Sequence, residues 1–141
     1  MSPPKTVLVL CTGNSCRSQM AEVILNHDLA GKVRALSAGT QPQFKVADGA
    51  IEALKLANFP TEGLYPKDVE AVMDEPIDLV VTVCGNAKET CPIFPREVPS
   101  IHLPFHDPHG EPLESFIRVR DDIRARLVPA VREALGLEVP S

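Results

Sequence analysis

Nowhere does the chain carry an apolar run near the roughly 20 residues of a membrane span, so a transmembrane helix is not expected. Nor is there a block of five or more lysines and arginines. With 14 Lys plus Arg against 19 Asp plus Glu and a net charge of −5, the chain lacks the electrostatic footing for non-specific binding to nucleic acid or a membrane surface. The first residues, Met1 to Lys5, lack the basic, then apolar, then small pattern of a signal peptide, and the expected location is the cytoplasm. No internal repeat and no linker divides the chain. Tryptophan is absent and there is one tyrosine. Cysteine is sparse: four in a reducing compartment point to catalysis, redox cycling or metal binding rather than to structural staples. What is present suffices for a core, since 44% of the 141 residues are apolar, which fits one domain over 1–141.

Residues 6–10, Thr6-Val7-Leu8-Val9-Leu10, form a continuous apolar run rich in β-branched residues, which reads as a strand buried on both faces. Small polar residues end it, after which Met20, Ala21, Ile24 and Leu25 recur at helical spacing, with Gly31 at the expected helix end. Residues 33–37 suit a second strand, closed by Ala38-Gly39. Over 46–56 the period is helical again (Val46, Ala50, Ala53, Leu54), and Asn58 would cap it. A shorter helix is expected at 66–73 and a second strongly buried strand at 77–83. Six prolines between Cys91 and Pro112 predict mostly loop, with one short strand near 98–103. The last element is a long amphipathic helix. Its stripe is Leu113, Phe116, Ile117, Ile123, Leu127 and Val131, set among five arginines, and Pro129 inside it predicts a kink or an early end. Strands alternating with helices, the two strongest strands apolar throughout, mean a parallel sheet wrapped by helices. Ligands of such sheets bind beyond the carboxyl ends of the strands. Cys11 and Cys84 each end one of the apolar strands, which puts both on one rim.

Between the first strand and the first helix stands Cys11-Thr12-Gly13-Asn14-Ser15-Cys16-Arg17-Ser18, a cysteine followed by five residues, an arginine and a serine. A loop curling into a helix N-terminus aims several backbone N–H groups at one spot and makes a nest for a tetrahedral oxyanion. Gly13 lets the backbone turn without a Cβ clash. Arg17 offers a planar fork that can hold two anion oxygens at once. The same groups lower the pKa of Cys11, so that a thiolate is available to attack the central atom of the anion. Asn14 and Ser18 are well placed to hold the loop and to hydrogen-bond that thiolate. The plainer alternative is a buried structural cysteine with an unrelated arginine nearby.

Residues 9–18, Val9-Leu10-Cys11-Thr12-Gly13-Asn14-Ser15-Cys16-Arg17-Ser18, resemble the signature of the low-molecular-weight protein tyrosine phosphatase fold family. Ser37-Ala38-Gly39-Thr40, Asp107-Pro108 and Phe116-x-Arg118-Val119-Arg120-Asp121 extend the likeness over nearly the whole chain. Within that fold, Val83-Cys84 and Cys91-Pro92 make the chain most similar to the thioredoxin-coupled arsenate reductases. Arsenate reduction needs two electrons, and thiols are the only redox groups in the sequence. The resemblance implies a single three-layer α/β domain, a four-stranded parallel sheet flanked by helices. It implies that Thr12, Gly13, Asn14, Ser15, Cys16, Arg17 and Ser18 hold the oxyanion, and that Cys11 attacks arsenate while Asp107 protonates the departing hydroxyl. Cys84 then attacks the Cys11 sulfur and arsenite leaves. Cys91 takes over Cys84, and thioredoxin reduces the Cys84–Cys91 disulfide. The expected partners are arsenate or another small tetrahedral oxyanion and thioredoxin, with no nucleic acid, no membrane, and a monomeric chain.

Other readings stay open. A phosphatase of this fold would use Cys11, Arg17 and Asp107 alike, but would present aromatic residues after Asp-Pro to receive a phosphotyrosine ring, where this chain has His109-Gly110. A non-enzymatic thiol or metalloid sensor is the third reading. No metal site is expected: six residues between Cys84 and Cys91 is not a zinc-knuckle spacing, and His102, His106 and His109 have no second close pair. Asp107, restricted to extended backbone by Pro108, is alternatively a solvated Asx-turn residue. His106 stands where such reductases often carry an acidic residue. Cys16 is either a small buried side chain or the partner of a protective disulfide with Cys11.

Two further expectations concern charge and movement. Some reductases of this kind bind a potassium ion behind the loop, through residues matching Asn14, Glu22 and Ser37 together with a Thr and an Asp. Here Tyr65-Pro66-Lys67 falls at those last positions. An ammonium cannot ligate a cation, so no potassium site and no other cofactor is expected, and Lys67 would supply the charge itself. If residues 85–90 are helical in the reduced protein, Cys84 and Cys91 stand roughly 10.5 Å apart along the axis. A disulfide needs Cα atoms about 4.4–6.8 Å apart. The segment 84–96 is therefore expected to unwind when the pair bonds.

Overall fold

A strand with no polar side chain to solvate belongs in the middle of a sheet, and the two apolar strands are there. The computed structural model describes residues 3–84, 94 and 96–137. In chain order the elements are β1 (Lys5–Cys11), α1 (Arg17–Asp28), β2 (Val33–Gly39), α2 (Asp48–Leu56), a 3-10 turn (Val69–Val72), β3 (Leu79–Cys84), β4 (Ser100–Phe105) and α3 (Leu113–Leu135). The four strands form one parallel sheet in the order β2-β1-β3-β4. The α/β class and the parallel sheet expected from the sequence are what the chain adopts.

Strand alternation divides the core in two. Val7, Val9 and Cys11 share one face with Val81 and Val83, packed against Met20, Ile24 and Leu25 of α1, Ala50 and Leu54 of α2, and Phe116, Ile123 and Leu127 of α3. Leu8, Leu10 and Val80 point the other way, onto Val72, Ile77 and Phe94. α1 is buried along most of its length, including Arg17, Ser18 and Gln19 in its first turn. Polar residues there must be satisfied by specific partners, and that requirement shapes the site described below.

The structure departs from the sequence expectations in three places. The helix expected at 66–73 shrinks to the single 3-10 turn Val69–Val72. Lys67 is held outside the turn by its backbone bonds, and Asp68 is extended: the Lys67 N–H donates to Asn14 Oδ1 at 2.8 Å, and its carbonyl accepts from the Gly39 N–H at 2.8 Å. Asp68 then caps the turn by accepting from the Glu70 N–H at 2.9 Å, and Pro76 follows too closely for a longer helix. Pro129 does not end α3, which runs on to Leu135 and stops at Gly136 in the left-handed conformation (φ 66°). There the Leu137 N–H reaches the Arg132 carbonyl at 2.9 Å, a glycine-terminated helix end. The strand near 98–103 lies two residues later, at Ser100–Phe105, and as an edge strand it tolerates Pro104. The expectations for residues 85–90, Cys91 and Pro92 fall outside the described residues.

Candidate active site

Parallel order puts every strand's carboxyl end on the same rim. β1 and β3 are hydrogen-bonded neighbours with Leu10 opposite Thr82, so Cys11 and Cys84 end adjacent strands. Both side chains are buried. Above this rim is a cavity of about 360 Å³, lined by the continuous segment Cys11 to Arg17 and by Gln41, Gln43, Asp107 and His109.

The loop's shape follows from where its carbonyls go. The carbonyls of Thr12, Gly13 and Ser15 accept from the N–H groups of Gln41, Gln43 and Ala47, at 2.9, 2.9 and 2.8 Å. In a trans peptide the N–H of the next residue points the opposite way. The N–H groups of Gly13, Asn14 and Cys16 are therefore turned to the inside of the loop. α1 begins at Arg17 with no side-chain cap from Cys16 and no acidic residue in its first turn to oppose an anion at its N-terminus. Asn14, not Gly13, takes the left-handed conformation (φ 49°). A Cβ on Gly13 would stand 2.9 Å from Cγ of exposed Gln43, which would have to shift to admit it.

Asn14 is fully buried, and its side chain is locked from both sides. Its Nδ2 donates to Ser18 Oγ at 2.8 Å, and its Oδ1 accepts from Gln19 Nε2 at 3.0 Å and from the Lys67 N–H. Ser18 lies behind the loop, fully buried, rather than in the cavity lining.

Arg17 is 4% exposed, and a buried guanidinium must be matched by oxygens. Its Nη1 donates to the carbonyls of Phe105 at 3.1 Å and Val83 at 3.4 Å, and its Nη2 stands 3.7 Å from Asp107 Oδ2. One side chain thus ties the loop to the residue before Cys84 and to the segment that carries Asp107. Asp107 combines two of the readings raised by the sequence. Its Oδ1 accepts from the His109 N–H at 3.1 Å, an Asx-type turn, while Oδ2 faces Arg17 at the cavity.

Cys16 is a buried free thiol in the loop. Burial first, and then the negative charge of Asp107, push its pKa up from 9.0 to about 12, against the opposing pull of Arg17. At neutral pH it is an uncharged neighbour of Cys11. The three histidines between residues 102 and 109 diverge. His109 lines the cavity, His106 pairs with Glu111 at 2.7 Å outside it, and His102 meets Thr82 Oγ1 at 2.7 Å on the sheet.

A strand, an anion-shaped loop and a helix carrying a buried arginine are the diagnostic part of the molecule, and residues 6–138 match the family model described as low molecular weight phosphotyrosine protein phosphatase. The chain belongs to that family. Among curated members it is 41% identical over 127 residues to arsenate reductase 1 of Bacillus cereus (strain ATCC 10987 / NRS 248), covering 90% of this chain and 94% of that protein. Its fold is similar to the crystal structure of arsenate reductase from Archaeoglobus fulgidus DSM 4304, at TM-score 0.79 and 29% identity, over 89% of this chain and 98% of that one. It is also similar to a structure described as an arsenate reductase in the phosphate binding state, at TM-score 0.78 and 27% identity, over 92% and 98% of the two chains. Beside these relatives, the contributions that sequence reading missed in this low molecular weight phosphatase-family site are Gln41 and Gln43. They follow β2, and the rule that parallel sheets bind ligands at their carboxyl rim would have pointed to them. Cys91 lies outside the described residues.

Proposed function

We propose that this chain reduces arsenate to arsenite, with Cys11, Cys84 and Cys91 as a thiol relay and thioredoxin as the source of electrons. The observation that carries the proposal is the position of Cys11 and Cys84 at the ends of adjacent strands on one rim, with Cys11 lining the cavity above it. Similarity to arsenate reductases over nine-tenths of the chain supports it.

Arsenate sits in the loop against the inward N–H groups and Arg17. The Cys11 thiolate attacks arsenic, and a hydroxyl leaves as water with a proton from Asp107. The Cys84 thiolate then attacks the Cys11 sulfur. The electron pair of the sulfur–arsenic bond passes to arsenic, which leaves as arsenite, reduced by two electrons, while Cys11 and Cys84 are oxidised to a disulfide. Cys91 displaces Cys11 from Cys84, and the thioredoxin dithiol reduces the Cys84–Cys91 bond. Arg17 serves twice: its fork faces the anion site, and its bond to the Val83 carbonyl holds the residue that precedes the second thiol. The working form is a monomer in the cytoplasm, where thioredoxin keeps such thiols reduced.

A phosphatase reading rests on the family match and on the same Cys11, Arg17 and Asp107. Among the described residues the cavity is lined by Gln41, Gln43 and His109 beside the loop, with no Phe, Tyr or Trp ring positioned to stack on an aryl group. The deciding experiment is arsenate-dependent NADPH oxidation with thioredoxin and thioredoxin reductase, beside a glutaredoxin control and an aryl phosphate hydrolysis assay. Turnover with thioredoxin alone is expected. Hydrolysis of the aryl phosphate without arsenate turnover would favour the phosphatase.

A further inference from the structure

Behind the anion loop, Glu22 of α1 and Ser37 of β2 face each other, with Ser37 Oγ donating to Glu22 Oε1 at 3.0 Å. Lys67 closes this group. Its Nζ stands 3.5 Å from the same Glu22 oxygen and donates to the Tyr65 carbonyl at 3.3 Å, with the Tyr65 ring centroid 5.0 Å away. The Lys67 and Glu22 side chains are only 13% and 15% exposed, so water does little to screen them. The main chain of Lys67 meanwhile bridges Asn14 and Gly39, the residue beside the Cys11 carbonyl.

These residues do not fit a potassium ion. Of the oxygens that would ligate it, Glu22 Oε1 already faces the Lys67 ammonium and accepts from Ser37, and Asn14 Oδ1 is taken by Gln19 and the Lys67 N–H, so a second cation at this spacing would find few open oxygens and be repelled by Lys67. We propose that Lys67 is a tethered cation, a positioning residue that replaces the dissociable ion and holds the anion loop in its binding shape. Its charge cancels that of Glu22, which otherwise would lie uncompensated behind a loop that must accept an anion. Its backbone N–H helps to fix Asn14 in the left-handed conformation on which the loop's inward N–H groups depend. The loop therefore works at any potassium concentration. This inference concerns anion binding and does not depend on the redox relay.

The test uses the full-length reduced protein in potassium or sodium chloride at equal ionic strength. Two quantities are read: the Tm increase produced by inorganic phosphate, and the arsenate KM and kcat. In the unmodified protein both should be the same in the two salts. Lys67→Met should raise KM and weaken phosphate by roughly tenfold with kcat little changed, and Lys67→Arg should restore most of the loss. Lys67→Asp should make phosphate binding and Tm respond to potassium and not to sodium. Potassium-specific stabilisation of the unmodified protein would overturn the proposal, and needs no variant to be seen. So would a Lys67→Met protein that loses Tm but keeps its phosphate affinity, the signature of a merely structural lysine. Should arsenate turnover be absent altogether, the phosphate measurements still decide the matter, and it is the proposed function that fails.

Discussion

Single atoms decide whether the anion loop can close. A Cβ on Gly39 would overlap the Thr12 carbonyl oxygen and stand 3.0 Å from that of Cys11. Both obstacles are backbone, which cannot swing aside as a side chain can. Gly39→Ala should therefore cost about 1–3 kcal/mol of stability, read as a lower urea midpoint at unchanged slope. It should also blunt protection by phosphate, and an alanine variant equal to the parent in both would mean that the loop has slack. Cys16 sets a second residue-level expectation. Between its ordinary value of 9.0 and its folded value of about 12, the folded chain keeps a proton that the unfolded chain has lost. Stability contributed by the neutral thiol is thus present below pH 9 and declines as the pH rises through that window. Chemical denaturation of Cys16→Ala across pH 8–11 should show a shallower decline than the parent, while arsenate turnover at neutral pH persists. Parallel declines would mean that Cys16 is not held neutral.

The elements show how a local rule can be read correctly and still be overridden. Pro129 lacks the N–H that would reach the carbonyl of residue 125, and its ring crowds that oxygen. Both positions lie on the exposed side of α3, so water satisfies the freed carbonyl, while Phe116, Ile123, Leu127 and Val131 keep the buried stripe intact. Pro129→Ala should stabilise the protein, by at most about 3 kcal/mol, with unchanged kinetics. A lower Tm would indicate that the proline is required for the path of the helix. The central strands were legible because residues buried on both faces leave no polar alternation, and the anion loop because cysteine, arginine and small residues each answer a chemical need. The region 66–73 was not legible in the same way. Val69 and Val72 have helical spacing, but Asn14 and Gly39, some 53 and 28 residues earlier, bind the Lys67 backbone and keep it out of a helix. Gln41, Gln43 and the bonds of Arg17 to Val83 and Phe105 are likewise products of topology, and no local pattern encodes them.

At the scale of the whole molecule, the proposed relay asks one thiol to serve two partners in turn. Cys84 must first reach Cys11 on the neighbouring strand and then bond Cys91, seven residues further along its own chain. The first partner is fixed, because β1 is paired on both edges and cannot move without opening the sheet. Val83 is fixed too, fully buried and with its carbonyl bonded to Arg17. Movement between the two disulfides should therefore begin after Val83 and leave β1 and β3 in place. Two measurements follow. Cys91→Ser should release one arsenite per protein and stall with Cys11 joined to Cys84, visible as a mass consistent with one internal disulfide; sustained turnover would sink the relay. Amide hydrogen exchange should be compared between the reduced protein and the form oxidised at Cys84 and Cys91. Protection should fall within residues 84–96 and persist in β1 and β3, since those strands carry the core that the switch must not disturb. Identical protection in both states would require the two cysteines to stand within bonding distance before oxidation, and the thiol relay would then proceed without a conformational step.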